Sequence, residues 1–144
     1  MTESNEKFAV VFADGGSRGN PGPAGAGAII REGAGDGTVV AELAEFLGHQ
    51  TNNVAEYTGL IIGLKGALEH GFSAVEVRMD SELIVKQMKG LYRVKHPGLQ
   101  PLHREAQQLA SKFKKFQIVH VRRELNKDAD RLANKAMDSG NGFK

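Results

Sequence analysis

Asp14, Glu56, Asp80 and Asp130 are the residues of this 144-residue chain best placed to do chemistry. Asp14 and Asp80 end the strand-like runs "AVVFAD" and "VRMD", and Glu56 and Asp130 read as falling in the first turns of helices, in "NNVAE" and "NKDAD". Each also has an ordinary structural use. Asp14-Gly15 suits a hairpin turn, and Asn53-Val54-Ala55-Glu56 reads as a capping box with Glu56 at N3. Asp80 suits the cap of a helix starting at Ser81, and Asp130 suits the dipole at a helix N-terminus. Brought together, the four carboxylates would repel and raise one another's pKa values unless a cation intervened. The chain has no cysteine, so the donors are oxygens and the fitting ion is hard: Mg²⁺, with Mn²⁺ as a substitute. Such a set holds two ions about 3.5–4 Å apart, one activating an attacking water and the other stabilising the leaving oxygen of a phosphodiester.

For the acids to meet, the elements must carry them to one place. "KFAVVFAD" is short, apolar and closed by glycines, and reads as a strand ending at Asp14. "AGAGAIIRE" and "TVVAELAEFLG" read as two more strands, joined through "GAGDG" into an antiparallel meander. From Thr51 to His70 the apolar residues recur at helical steps until Gly71 stops them. "AVEVRM" alternates as a fourth strand, "SELIVKQMKG" and "LQPLHREAQQLASKF" read as helices, "FQIVHV" as a fifth strand, and "NKDADRLANKAMD" as a last helix. The order βββαβααβα predicts an α/β fold: a mixed five-stranded sheet, strands one to three antiparallel, with helices on both faces. If strands one and four are parallel neighbours, Asp14 and Asp80 emerge at the C-terminal sheet edge where such folds bind ligands. One domain is expected over residues 7–138, with a flexible leader at 1–6 and a flexible tail at 139–144.

Charge and composition narrow the partners. Between Leu83 and Arg123 there are ten Lys and Arg residues against Glu105 alone, the footprint of a surface for a polyanion. No apolar run reaches the roughly 18 residues of a membrane span, and the start "MTESNEK" is unlike a secretory signal. A cytoplasmic monomer with no membrane contact and no obligate protein partner is expected. No G-x-G-x-x-G or G-x-x-x-x-G-K-[ST] stands between a strand and a helix, which argues against a nucleotide site. Ser17 and Ser81 lack the His and Asp partners of a serine nucleophile.

The blocks "DGGSRGNPGPAGAGAII", "TNNVAEYTGLIIGL", "VRMDSELIVKQM" and "NKDADRLANKA", in this order, resemble the signature blocks of type 1 ribonuclease H, in its short form without a basic protrusion. The resemblance runs from about Phe8 to Met137. It implies the fold just described and endonucleolytic hydrolysis of the RNA strand of RNA–DNA hybrids, leaving 3′-hydroxyl and 5′-phosphate ends. By the same resemblance Asp14, Glu56, Asp80 and Asp130 are the catalytic, metal-binding acids. Asn20, Asn52 and Asn53 would contact the hybrid, with Gly15, Thr51 and Ser81 as looser contacts. Short amides and bare glycine backbone suit the shallow minor groove, where 2′-hydroxyls lie exposed. The glycines would thus let a nucleic-acid backbone approach Asp14.

The chain departs from the family's pattern twice. "KGLYRVKHPGLQPL" passes almost directly to the next helix, so the basic helix and loop that grip the hybrid in many members are missing. Lys89, Arg93, Lys95 and the Lys112–Lys115 cluster replace only part of that charge, so weaker and more salt-sensitive binding is expected. The segment "RRELNKDAD" also lacks the loop histidine of many members, which leaves Arg123 or Glu124 to assume its role. His120 belongs to a strand and reads as structural. A catalytically silent hybrid- or duplex-binding module on the same scaffold is the alternative, as is a related nuclease acting on a DNA junction or double-stranded RNA.

Overall fold

Alternation along the first strand decides what lies on each side of the sheet. In the computed structural model, which describes residues 7–34 and 37–141, β1 spans Phe8–Ser17, β2 Gly22–Glu32 and β3 Val39–Gln50. They are followed by α1 (Asn52–Glu69), β4 (Ala74–Met79), α2 (Glu82–Met88), α3 (Gln100–Ala110), β5 (Lys115–His120) and α4 (Lys127–Asn141). A single 3-10 turn, Arg123–Leu125, precedes α4. The expected order holds, and the leader at 1–6 lies outside the described residues. α4 continues through Asn141, into the stretch 139–144 expected to be a tail, of which 142–144 lie outside the described residues.

The sheet has the order β3-β2-β1-β4-β5, with β1 at its centre. β1–β2 and β2–β3 are antiparallel; β1–β4 and β4–β5 are parallel. Ala9, Val11 and Ala13 of β1 join Tyr57, Leu60 and Leu64 of α1 in the main core. That core continues through Val75, Val77 and Met79 of β4 to Ile84 of α2 and Leu109 of α3. Each large aliphatic side chain buried there contributes about 2 kcal/mol. The opposite face of β2 carries α4, and the contact is close: a Cβ at Gly25 or Gly27 would stand 2.6 Å from a carbonyl oxygen of α4, that of Ala133 or Ala129. Helices therefore cover both faces, as expected.

Within the core, the Tyr57 hydroxyl donates to Gln87 Oε1 at 2.6 Å, and Gln107 Nε2 donates to the Met88 carbonyl at 3.1 Å. These bonds satisfy polar atoms away from solvent while fixing α2 against α1 and α3 against α2. Between α2 and α3 the described chain forms no further helix, so the short connection read from the sequence is the one observed.

Candidate active site

Parallel pairing carries two of the acids to one sheet edge. Phe12 pairs with Arg78 at the last rung between β1 and β4, and two residues further along each strand lie Asp14 and Asp80, on the same side by alternation. Asp14 does not end its strand, however. Gly15 pairs with Ala26 and Ser17 with Ala24, so β1 runs on beside β2 after it has parted from β4. The turn falls at Arg18–Pro21, where the Arg18 N–H donates to the Pro23 carbonyl at 2.9 Å. Asp14-Gly15 is therefore not a hairpin turn. The carboxylate stands where the two ladders separate and opens into a cleft.

Helix starts bring the other two. Thr51 caps α1, its hydroxyl accepting from the Val54 N–H at 3.3 Å, so the capping box expected at Asn53–Glu56 does not form. Glu56 sits beyond the first turn and is free for another use. Ser81, not Asp80, caps α2: it accepts from the Ile84 N–H at 3.3 Å and donates to Glu56 Oε1 at 3.1 Å. Asp130 lies in the first turn of α4, its N–H bonded to the Asn126 carbonyl at 3.1 Å. All four carboxylates line one cleft of roughly 930 Å³.

Two glycines near Asp14, Gly15 and Gly59, serve helix packing, while Gly16 lines the cleft with only ordinary contacts. A Cβ on Gly15 would collide with the backbone of Ala55 and Glu56, and one on Gly59 with the carbonyl of Asp14. The main chains of β1 and α1 thus touch directly beside the acids. Gly15 also lines the cleft, and its N–H donates to the Asp14 carboxylate.

Burial and crowding set the electrostatics. Asp14 is only 8% exposed, and desolvation, followed by the charge of Asp80, pushes its pKa up to about 8. The Gly15 N–H opposes that shift, and a hydrogen bond shared with Asp130 adds to it. Desolvation also raises Glu56 to about 7, with Asp80 adding to the rise and the Ser81 hydroxyl opposing it. Carboxylates this crowded exert the mutual repulsion that a cation relieves.

Asn126 escaped the sequence reading. It is 1% exposed, and its Nδ2 donates to the Ala13 carbonyl at 2.9 Å and to Asp80 Oδ1 at 3.2 Å. It therefore ties β1, β4 and the start of α4 together behind the acids. Its Oδ1 is buried without a partner among the described residues. No motif of sequence marks such a residue; only its place just before the last helix hinted at a cap. Asn126→Ala is expected to destabilise the fold by about 2 kcal/mol, as a thermal melt would show, and to lower any turnover further by loosening Asp80.

The remaining expected contacts divide. Asn20, Asn52, Asn53 and Ser81 line the cleft, while Thr51 is not among its lining residues. Asn20 Oδ1 accepts from the Asn52 N–H at 3.0 Å, and Asn52 Oδ1 accepts from the Ser17 N–H at 2.8 Å and its hydroxyl at 3.0 Å. Both amides thus tie the β1–β2 turn to the start of α1. Arg123 lines the cleft with its Nε 3.9 Å from Asp80 Oδ2, whereas Glu124 turns to Arg122 at 3.6 Å. His120 is exposed and pairs with Met79 at the last rung of β5.

The donor chemistry of the cleft fits hard divalent ions: its acids are all carboxylates, and Asp14 and Glu56 are raised by desolvation and by the charge of Asp80. Among the described residues, no three acid or histidine side chains are yet gathered closely enough to hold an ion as they stand.

A mixed sheet of this order, flanked by four helices with acids converging at the edge between β1 and β4, is the ribonuclease H-like fold. Residues 12–136 match the family described as reverse transcriptase-like, and the chain belongs to that family. It is 53% identical over 130 residues to the bifunctional protein Rv2228c of Mycobacterium tuberculosis, covering 90% of this chain and 35% of that protein. It is 43% identical over 128 residues to ribonuclease HI of Halobacterium salinarum, covering 89% of this chain and 63% of that protein. The chain therefore spans about a third of the mycobacterial relative and less than two thirds of the archaeal one. Among solved structures, the N-terminal RNase H domain of Rv2228c superposes with a TM-score of 0.92 at 50% identity, covering 96% of this chain and 99% of that one. LC11-RNase H1 in complex with an RNA/DNA hybrid superposes with a TM-score of 0.84 at 41% identity, covering 92% of this chain and 98% of that one.

Proposed function

We propose that this domain hydrolyses the RNA strand of RNA–DNA hybrids, leaving 3′-hydroxyl and 5′-phosphate ends. The observation that carries the reading is the convergence of Asp14, Glu56, Asp80 and Asp130, from four separate elements, on one cleft. Its nucleic-acid side is supported by homology to ribonuclease HI and by the superposed structure bound to a hybrid. Asp14, Glu56, Asp80 and Asp130 would hold two Mg²⁺ or Mn²⁺ ions, which when bound activate water and neutralise the leaving oxygen.

The chain's own residues do the positioning. Asn126 holds Asp80 by its Nδ2, and Ser81 holds Glu56 by its hydroxyl, so neither carboxylate is free to swing away from the substrate. Asn20 and Asn52 spend their carbonyl oxygens on the protein, which leaves their amide nitrogens as the groups to donate to minor-groove hydroxyls or phosphates. Arg123 stands beside Asp80 to meet developing negative charge or to assist product departure.

Incubation with a labelled hybrid, with and without Mg²⁺ and Mn²⁺, tests the reading. Metal-dependent cuts confined to the RNA strand are the expected result. Binding without any cut would select the silent module, and preference for a DNA junction or double-stranded RNA would reassign the substrate.

A further inference from the structure

The charges lining the cleft are one-sided, and a polyanion has to overcome them. Asp14, Glu56, Asp80, Glu82 and Asp130 face the space, against only Arg18 and Arg123 as cations. Arg123 stands over Asp80, on the α4 approach. Arg18 lies across the cleft, on the β1–β2 turn beside Asn20. Its main chain is held in place: its N–H bonds the Pro23 carbonyl at 2.9 Å, and the preceding Ser17 is tied to Asn52 at 2.8 and 3.0 Å.

The guanidinium of Arg18 is engaged in a way that invites exchange. Its Nη2 donates to Asp138 Oδ1 of α4 at 2.6 Å, with the two side chains 40% and 68% exposed. A pair this open to water is weakly held. It occupies one corner of a five-donor fork whose geometry suits a phosphate, and charge-assisted bonds to phosphate are the stronger alternative.

We infer that Arg18 grips a backbone phosphate of the nucleic acid crossing the cleft, and that Asp138 is its resting counter-ion, displaced when the phosphate arrives. The inference rests on the hybrid-binding reading above and adds to it a phosphate contact on the side of the cleft away from Arg123. Asp138 keeps the guanidinium extended along α4 and away from the acids, which would otherwise draw it inward and block the site.

Binding of a labelled hybrid in Mg²⁺, followed by fluorescence anisotropy in an Asp14→Asn background that prevents cleavage, tests it. Arg18→Ala is expected to weaken binding roughly tenfold at about 50 mM salt and to reduce the slope of log affinity on log salt by about 0.9. The deficit then shrinks to about threefold at about 200 mM. Arg18→Lys should fall between, since it keeps the charge and loses the fork. Asp138→Asn should bind as tightly as the background protein or more tightly. Unchanged affinity and slope in Arg18→Ala, or weakening by Asp138→Asn, would overturn the inference while leaving hybrid binding intact. A background protein that fails to bind the hybrid at all would sink both readings. Arg18 is half exposed, and an unchanged circular dichroism melt checks that its variants fold.

Discussion

Replacing Asp14 with Asn is expected to abolish hybrid cleavage and, in the absence of divalent ions, to make the protein more stable at pH 8. Both effects come from one carboxyl. Burial and the neighbouring Asp80 hold Asp14 at about 8 in the folded protein, against about 3.9 in an unfolded chain. From about pH 4 to about pH 8 the folded state therefore keeps a proton that the unfolded state has released. With more protons bound to the native state, stability falls as pH rises through that window and levels off above it. Glu56, held at about 7, adds a slope of the same sign over a narrower range. Asn removes the titration at position 14, so the ion-free variant should gain on the order of 2–3 kcal/mol at pH 8 and nothing near pH 4. On the proposed function, in which Asp14 would hold a metal ion, cleavage should fall about a thousandfold or more. Thermal melts across pH in a chelator, repeated with Mg²⁺, check the first claim: the ion should stabilise the parent far more than the variant at pH 8. A parent whose melting temperature is flat from pH 4 to pH 8 would refute the account of the site as a strained cluster of acids.

Gly59→Ala is expected to be among the most damaging single-methyl changes in the chain. The added Cβ would strike the carbonyl of Asp14 and stand 3.0 Å from its carbon, and neither partner is a side chain able to rotate away. The helix has to lift from the strand. That overpacking is expected to destabilise the domain by about 3 kcal/mol. Glu56 lies one turn before Gly59 and shifts with the helix, and a displacement of about 1 Å costs on the order of a hundredfold in rate. Gly15→Ala, which drives a methyl into Ala55 and Glu56 from the strand side, should give the same outcome. Gly16→Ala is the internal control for stability, because its Cβ would meet Asn52 Oδ1 at 3.8 Å and Met137 Cε at 3.9 Å, ordinary contacts. Melts of the three variants, with cleavage measured where each remains folded, decide the matter. Equal stability of Gly59→Ala and Gly16→Ala would show that the close approach is not what holds α1 in place.

The mixed sheet, the meander and the helices were legible because each rests on a pattern, alternation or helical periodicity, and Asp14 and Asp80 stood out as acids at the end of apolar runs. What failed to show was anything set by contacts distant in sequence. Asp14-Gly15 has the composition of a turn, and it stays a strand only because β2 pairs past it and α1 lies over it. Nor does the sequence show that the space beside the Gly15 Cα is filled by the main chain of α1, since a bare backbone reads alike whatever packs on it. Thr51 and Asn53 are both good caps by type, and Asn52 being bound to Ser17 and Asn20 fixes the helix start one residue after Thr51. Asn126 carries no periodic signal, and its importance lies in two acceptors, Ala13 and Asp80, that are far away in the chain.

The bare contact between α1 and β1 makes the spacing of Asp14 and Glu56 a gauge cut from main chain alone. Apart from the similar approach of α4 to β2 at Gly25 and Gly27, the elements of the core meet through side chains, and swapping one aliphatic group for another changes their separation. Here no such filler intervenes, so drift among the leucines and valines of the interior can alter how firmly the domain holds together without resetting the distance between these two acids. A lineage could therefore exchange much of its interior while keeping the same reach between them.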